Sequence, residues 1–118
     1  MTRRSVKIHR LRQSIYPVYM YVVVHSDISA AHMEVFGEEF HLAKCGGLLV
    51  SNGSRFYIFV QPNADADTIA HESFHMTVDV MEWCGFKVTK NHEPAAYLCG
   101  WIAGKVHKAI LKHRLSPH

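Results

Sequence analysis

The amino-acid sequence predicts an α+β fold in which a small antiparallel or mixed sheet packs on two consecutive helices. Two observations predict this class. Runs of β-branched and aromatic residues bounded by turn residues occupy the first half of the chain, and two long segments with helical spacing of apolar residues occupy the second half. The predicted order of elements is β-α-β-β-α-α. A chain of 118 residues with 48% hydrophobic content suits a single domain over residues 1–118.

The first strand is predicted at residues 15–25, which are rich in tyrosine and valine. Pro17 cannot donate a backbone hydrogen bond, so it indicates the start of a strand or an edge position. Asp27 then offers an N-cap for a helix that runs to about Phe40. The residues of this helix expected to face the core are Ile28, Ala31, Val35 and Phe36.

A β-hairpin is predicted next. Residues 48–50 and 55–60 are short apolar runs, and the Asn52-Gly53 pair between them is a strong turn signal. One strand of this hairpin is expected at the edge of the sheet, beside the helix that follows. An extended peptide could dock there by adding a strand, although ordinary sheet structure explains the same residues.

A helix is predicted over residues 66–84. Asp65 or Asp67 can cap its N-terminus, and Gly85 follows its last turn as a stop signal. The apolar face of this helix is expected to consist of Ile69, Phe74, Val78 and Met81. The chemically active residues described next are then expected on a different face.

His71-Glu72-Ser73-Phe74-His75 has the pattern H-E-x-x-H. Residues four apart share one face of a helix, so His71 and His75 can present two imidazoles to one metal ion. Glu72 can place its carboxylate beside a metal-bound water, as a zinc-dependent hydrolase requires. The alternative is a pair of surface histidines beside a solvated glutamate, since a chain with 10 histidines can contain the pattern by chance.

A third protein ligand is expected, because catalytic zinc usually has three and keeps an open position for water. A second helical pattern begins near Pro94, a residue that suits a first helical turn. Glu93 and His92 stand at its start, and 17 residues separate His75 from Glu93. That length allows a helix end, a loop and a return to the metal. Both residues are candidates on ligand chemistry alone.

The pattern His71-Glu72-x-x-His75 followed by Glu93 resembles the gluzincin-type metallopeptidases. The small size is similar to the minimal zincin domains of the ImmA/IrrE kind, and the segment 93–102 looks like short phage or prophage proteins with a later E-x-x-A-Y. The resemblance covers about residues 46–112. It implies a minimal zincin-like fold and one Zn²⁺ per chain, held by His71, His75 and Glu93, with Glu72 as general base. The implied activity is hydrolysis of a peptide bond in a protein or peptide by metal-activated water.

Two further residues have possible roles near such a site. Tyr97 lies one turn after Glu93 and could donate to an oxyanion, but a core or supporting role is more common for such a tyrosine. Asp79 lies one turn after His75 and could orient that ligand, or it could be an exposed carboxylate. The histidines without ligand spacing are expected mostly at the surface, and they are His9, His25, His32, His41, His107, His113 and His118.

Charge is distributed unevenly. Residues 1–12 carry five Lys/Arg and residues 105–118 carry four, with no acid in either, whereas the stretch between them carries four basic and ten acidic residues. Basic ends can contact nucleic acid or an acidic protein. A solvated tail and the polar face of a helix are preferred, because these runs lack interleaved aromatic residues for stacking. Nucleic acid is therefore not expected as a partner.

The number and spacing of the cysteines indicate the cellular compartment that is expected for the protein. Cys45, Cys84 and Cys99 are odd in number and widely spaced, so free thiols in a cytoplasmic protein are expected. No apolar run reaches the roughly 18 residues of a membrane span, and the basic start lacks the apolar segment of a secretory signal.

Two other functions remain open at this point. A zincin-fold binding or regulatory module without activity would show the same pattern, and the small size leaves little chain for substrate subsites. The presence of Glu72 argues against that function. A nucleic-acid accessory protein that acts through its basic ends is the other possibility. The sequence does not indicate an oligomeric state.

Overall fold

The structure of the protein is a computed structural model that describes residues 6–38 and 46–115. Its elements are β1 (Ile8–Leu11), β2 (Tyr19–Val24), α1 (Ile28–Phe36), β3 (Gly47–Asn52), β4 (Arg55–Val60), α2 (Ala66–Trp83), a 3-10 turn (Val88–Lys90) and α3 (His92–Leu115). The strands form one mixed sheet in the order β1-β2-β4-β3. The pair β2–β4 is parallel and both outer pairs are antiparallel. The predicted α+β class with a small sheet is confirmed.

β1 is a strand that the sequence did not predict. Side chains alternate along a strand, so Ile8 and Arg10 share one face while His9 and Leu11 share the other. Each face combines one apolar and one polar residue, and the strand therefore has no alternating apolar signal. The strand forms because its backbone pairs with that of β2. β2 itself begins at Tyr19, later than predicted.

Helices cover both faces of the sheet. On one face α2 and α3 pack against the even-numbered residues of the central strands, such as Met20, Val22 and Ile58, in the main hydrophobic core. On the other face α1 packs against a smaller cluster that includes Val23 and Phe59. The two helices that carry the candidate site residues therefore lie together on one side of the sheet.

α2 packs on the sheet through a face that matches the predicted one only in part, since Ile69 and Met81 join the core as predicted. Phe74 is 54% exposed and Val78 is half-buried, so the predicted apolar face was wrong at these positions. The buried residues of α2 are Glu72, Ser73, Met76, Thr77, Val80 and Met81. The hydroxyl of Thr77 donates to the Ser73 carbonyl at 2.8 Å, which satisfies one buried polar group inside the helix.

α1 ends at Phe36 rather than at about Phe40. Asp27 caps its N-terminus as predicted, and its Oδ1 accepts from the Ala30 N–H at 3.1 Å. The helix stops because Gly37 adopts a left-handed conformation with φ 71°, and its N–H donates to the Met33 carbonyl at 2.7 Å.

The predicted hairpin is formed by β3 and β4. Its two-residue loop is Gly53-Ser54, one position later than the Asn-Gly signal suggested, and Gly53 takes the required positive φ of 61°. β3 lies at the edge of the sheet and contacts α2, as expected for one strand of the hairpin.

α2 and α3 pack as antiparallel neighbours. Residues 84–91 connect them, and at the other end Arg114 Nε donates to the Pro62 carbonyl at 2.9 Å, just before α2 begins. The start of α3 therefore lies near the end of α2. In the part of the chain that the structure describes, no helix has the length and apolar character needed to cross a membrane.

Candidate metal-binding site

The two histidines of the motif converge on one point at the surface of α2. Asp65 begins the helix by accepting from the Thr68 N–H at 2.9 Å, which sets the helical register of the following turns. His71 and His75 are both exposed, and their Nε2 atoms lie 3.1 Å apart with the ring planes inclined at 76°. At this distance one Nε2–H can donate to the other Nε2.

This separation suits two ligands of a single zinc ion. Zn–N bonds of 2.0–2.1 Å at a tetrahedral angle place two ligand nitrogens about 3.3 Å apart. His71 and His75 are therefore spaced as such a pair requires without any change in the helix backbone. Because both side chains are exposed, an ion can reach them from solvent.

Glu72 points away from solvent, although it lies between the two histidines in sequence. It is only 7% exposed. Burial raises the pKa of its carboxyl above the ordinary value of 4.5, and the neighbouring His71 and His75 oppose that rise. A carboxylate with a raised pKa beside two imidazoles is able to accept and release a proton near neutral pH.

Glu72 can occupy this position because Gly47, the first residue of β3, has no side chain. A Cβ built on Gly47 would lie 2.8 Å from Glu72 Cγ, 3.1 Å from its Oε2 and 3.0 Å from Thr68 Cγ2. The edge strand and the motif helix therefore meet at a contact that only glycine permits. Gly47 was not predicted as a site residue, although the Gly46-Gly47 pair at the start of a strand was a usable signal.

Glu93, the predicted third ligand, is exposed in the first turn of α3, and so is its competitor His92. His75 lies eight residues before the end of α2, or about 12 Å along the helix axis. The antiparallel packing puts Glu93 near that end. Within residues 6–38 and 46–115, no three His, Cys, Asp or Glu side chains are grouped closely enough to hold a metal ion. The structure thus brings His71 and His75 together, with Glu72 near enough for their charges to act on it, and it does not add Glu93 to the pair.

Tyr97 and Asp79, which the sequence suggested as supporting residues, lie in different environments. Tyr97 is 77% exposed and lines a cavity of about 670 Å³ between residues 12–16 and the first turns of α3. No residue of the H-E-x-x-H motif lines that cavity. Asp79 is half-buried, and no hydrogen bond or ion pair among the described residues joins it to His75.

The other histidines were expected mostly at the surface and the cysteines as free thiols, and the structure agrees with this in part. His32 is buried rather than at the surface, because its Nδ1 donates to the Glu38 carbonyl at 2.9 Å and this bond offsets the cost of burial. Cys84 and Cys99 are free thiols, as predicted. Three residues of those predictions lie outside the described residues, namely His41, Cys45 and His118.

Comparison with known proteins adds no further support for a function of these residues. No protein-family model, no curated protein and no solved structure matches the chain.

Proposed function

We propose that the protein is a small zinc-dependent metallopeptidase of the minimal gluzincin type, which hydrolyses a peptide bond in a protein or peptide. The observation that carries the proposal is the 3.1 Å approach of His71 Nε2 and His75 Nε2, with the buried Glu72 beside them. Surface histidines have no need to converge, and a solvated glutamate would not be buried.

Each residue of the motif has a role in this reaction. His71 and His75 hold the zinc ion, which supplies acidity by lowering the pKa of a bound water towards roughly 7. Glu72 accepts the proton of the attacking water on its carboxylate and passes it to the leaving amine. Burial favours this role, because a raised pKa brings the carboxyl closer to the pH at which proton transfer in both directions is efficient.

The edge strand β3 supplies a way to position the substrate. Among the described residues β3 is the last strand in the order β1-β2-β4-β3, so no described strand lies along its outer edge. An extended peptide that adds to this edge runs past Gly47 and therefore past Glu72. Specificity then comes from pockets for alternate side chains along that strand.

Glu93 remains the proposed third ligand, with His92 as the alternative. Because Glu93 lies near the far end of α2, the first turn of α3 has to approach the histidine pair when the site is complete. Glu93→Gln is then expected to weaken zinc binding at least tenfold, as the loss of one ligand oxygen should. Glu82→Gln, an exposed carboxylate on α2, is the matched control.

The first experiment is elemental analysis of the purified protein. We expect about one zinc per chain in the wild type, as a single catalytic site requires. His75→Ala should lose it, and His107→Ala, which removes an exposed histidine on α3, should keep it. A wild type that holds no metal even after zinc is added back would end the proposal.

The second experiment separates an enzyme from an inactive binding module. Zinc-loaded wild type and Glu72→Gln are incubated with a mixture of unfolded proteins, and new peptide ends are identified by mass spectrometry. The proposal expects cleavage by the wild type and a loss of about 10²-fold or more in Glu72→Gln, with the zinc content unchanged. Equal and negligible cleavage by both would favour the binding module.

A further inference from the structure

Part of the sheet face opposite α2 and α3 lies beyond α1 and has a distinct composition. The register pairs Ile8 with Val23 and Val23 with Phe59, and α1 packs over this end of the face. Beyond it, the side chains on the same face form two rows. The first row contains Arg10, Tyr21, Tyr57 and Val50, and the second contains Tyr19, Arg55 and Asn52. Neither row contains an acidic residue.

The aromatic residues of these rows are ordered against one another. Tyr21 and Tyr57 are register partners on the two central strands, and their rings stack with centroids 4.8 Å apart and planes inclined at 18°. Phe36, the last residue of α1, meets Tyr57 edge-on with centroids 5.0 Å apart, which marks the border of the covered region. Tyr19 lies beyond that border and is 44% exposed.

Two arginines flank the aromatic rings. Both guanidinium groups converge on Tyr19, with Cζ of Arg10 5.2 Å and Cζ of Arg55 5.9 Å from the ring centroid. Both arginines are exposed, and no carboxylate among the described residues pairs with either. Two cations held beside one ring, with no counter-ion from the described part of the chain, form a site that favours an anion.

We infer that this surface, the tyrosine–arginine face formed by Arg10, Tyr19, Tyr21, Arg55 and Tyr57, binds single-stranded nucleic acid. Unpaired bases would stack on Tyr19 and on the ring face of Tyr21 that Tyr57 does not cover, and backbone phosphates would pair with the arginines. Two arginines without acidic neighbours complement a phosphate backbone better than an apolar peptide. A sheet whose central strands stack two or three bases on aromatic side chains is a recurring solution to single-strand recognition.

The inference is independent of the peptidase proposal. The tyrosine–arginine face and α2 lie on opposite sides of the sheet, since their residues alternate along β2 and β4. It also differs from contact through the basic chain ends. Arg10 belongs to one of those ends in sequence, but the aromatic residues come from β2 and β4.

The test is fluorescence anisotropy with labelled oligo(dT), oligo(U) and a duplex of equal length at low salt. We expect the single strands to bind more tightly than the duplex. Tyr19→Leu should weaken single-strand binding about tenfold, since stacking on one ring contributes that much. Arg55→Gln should lower the slope of log affinity against log salt by about 0.7. Tyr97→Leu and Lys108→Gln, which remove an exposed ring and an exposed cation on α3, should change neither quantity.

Three results would overturn the inference. The first is no binding of any oligonucleotide at low salt, and the second is equal weakening by Tyr19→Leu and Tyr97→Leu. The third is competition by poly-glutamate as strong as that by unlabelled oligo(dT), which would show that charge alone is recognised. Glu72→Gln should leave oligonucleotide binding unchanged, and Tyr19→Leu should leave the zinc content unchanged, so either proposal can fail without the other.

Discussion

The position of Glu72 depends on a residue that has no side chain. Gly47→Ala would place a Cβ 2.8 Å from Glu72 Cγ and 3.0 Å from Thr68 Cγ2, so β3 or the Glu72 side chain must move. We expect the free energy of unfolding to fall by about 1–3 kcal/mol, as for other overpacked contacts, and the proposed function adds a loss of cleavage. Chemical denaturation and the cleavage assay measure the two effects.

Gly46→Ala is the matched control for that variant. The nearest atom to a Cβ at Gly46 is Thr68 Oγ1 at 3.9 Å, which is ordinary van der Waals contact. The neighbouring alanine should therefore leave stability and activity close to those of the wild type. Equal effects of the two substitutions would mean that the contact with Glu72 is not what Gly47 provides.

Burial of Glu72 also predicts how stability depends on pH. Because the folded-state pKa is raised, the native protein binds more protons than the unfolded chain between pH 4.5 and the raised pKa. Stability therefore falls as pH rises through this interval, and the burial penalty is fully present above it. In zinc-free protein with a chelator, Glu72→Gln should raise Tm at pH 7.5 by more than at pH 4.

Thermal melts of wild type, Glu72→Gln and the exposed-site control Glu82→Gln measure this difference. The gain of Glu72→Gln over wild type should shrink towards zero at acidic pH, where the native carboxyl is already neutral. A gain that is independent of pH would contradict the assignment, since it would come from packing rather than from charge.

At the scale of elements, α2 shows how far the sequence determines the site. Asp65 and Gly85 predicted its two ends, and the spacing of His71 and His75 predicted that their rings share a face. The buried face was not predictable from apolar residues alone. Ser73 and Thr77 are small enough to let α2 approach the sheet, whereas Phe74 is left at the surface.

The position of Glu93 relative to His75 could not be predicted for a similar reason. Chain length between His75 and Glu93 is sufficient for a return to the metal, but length does not fix direction. The antiparallel packing of α2 and α3 is set by apolar residues such as Leu98, Ile102 and Val106. Their burial determines where the first turn of α3 lies.

The start of α2 yields a prediction of its own. Asp65 accepts from the Thr68 N–H, and this bond lowers the pKa of its carboxyl. Asp65→Ala should lower Tm by roughly a few degrees at pH 7. A lowered pKa means that this contribution exists above the unfolded pKa and disappears as pH falls through the folded pKa, so the difference should vanish in strong acid.

Asp67→Ala is the comparison for the helix cap. Asp67 is an exposed acid in the same first turn but is not the cap residue, so its removal should have the smaller effect on Tm. Melting both variants at pH 7 and at pH 2.5 distinguishes a specific capping bond from general attraction between acids and the helix dipole.

At the scale of the whole molecule, the fold brings β1 beside the last turns of α3, so described residues of the two basic runs are neighbours. His9 on β1 is close enough to Lys112 and His113 on α3 for their charges to act on it. Burial is the largest cause of the lowered pKa of His9, and these cations together with Lys7 add to it. The sequence showed that both ends are basic but not that they are neighbours, because β1 was not predicted.

His9 should therefore reduce stability in mild acid. The unfolded chain binds a proton at His9 near pH 6.5, whereas the native protein binds it only at lower pH, so stability falls as pH drops below about 6.5. His9→Gln should melt at a higher temperature than wild type at pH 5.5 and show a smaller difference at pH 8. His107→Gln, at an exposed position, should show no such trend.

The tyrosine–arginine face was equally hidden in the linear sequence. Nucleic acid was not expected as a partner because the basic runs lack interleaved aromatic residues. The aromatic residues are interleaved with the arginines across strands rather than along them, since Tyr19 pairs with Arg55 and Arg10 with Tyr21. A pattern formed between neighbouring strands can be recognised only when the strand register is known. The register is known only from the folded structure.

The parallel pairing of β2 with β4 has a consequence for how the chain folds. The β3–β4 hairpin and the α2–α3 pair join neighbouring segments, so each can form early with little loss of chain entropy. Tyr19 meets Arg55 only after the intervening segment closes, and we expect that step to limit the folding rate. Substitutions at Val22 or Ile58 should mainly slow folding if this pairing is formed in the transition state, and mainly speed unfolding if it forms afterwards.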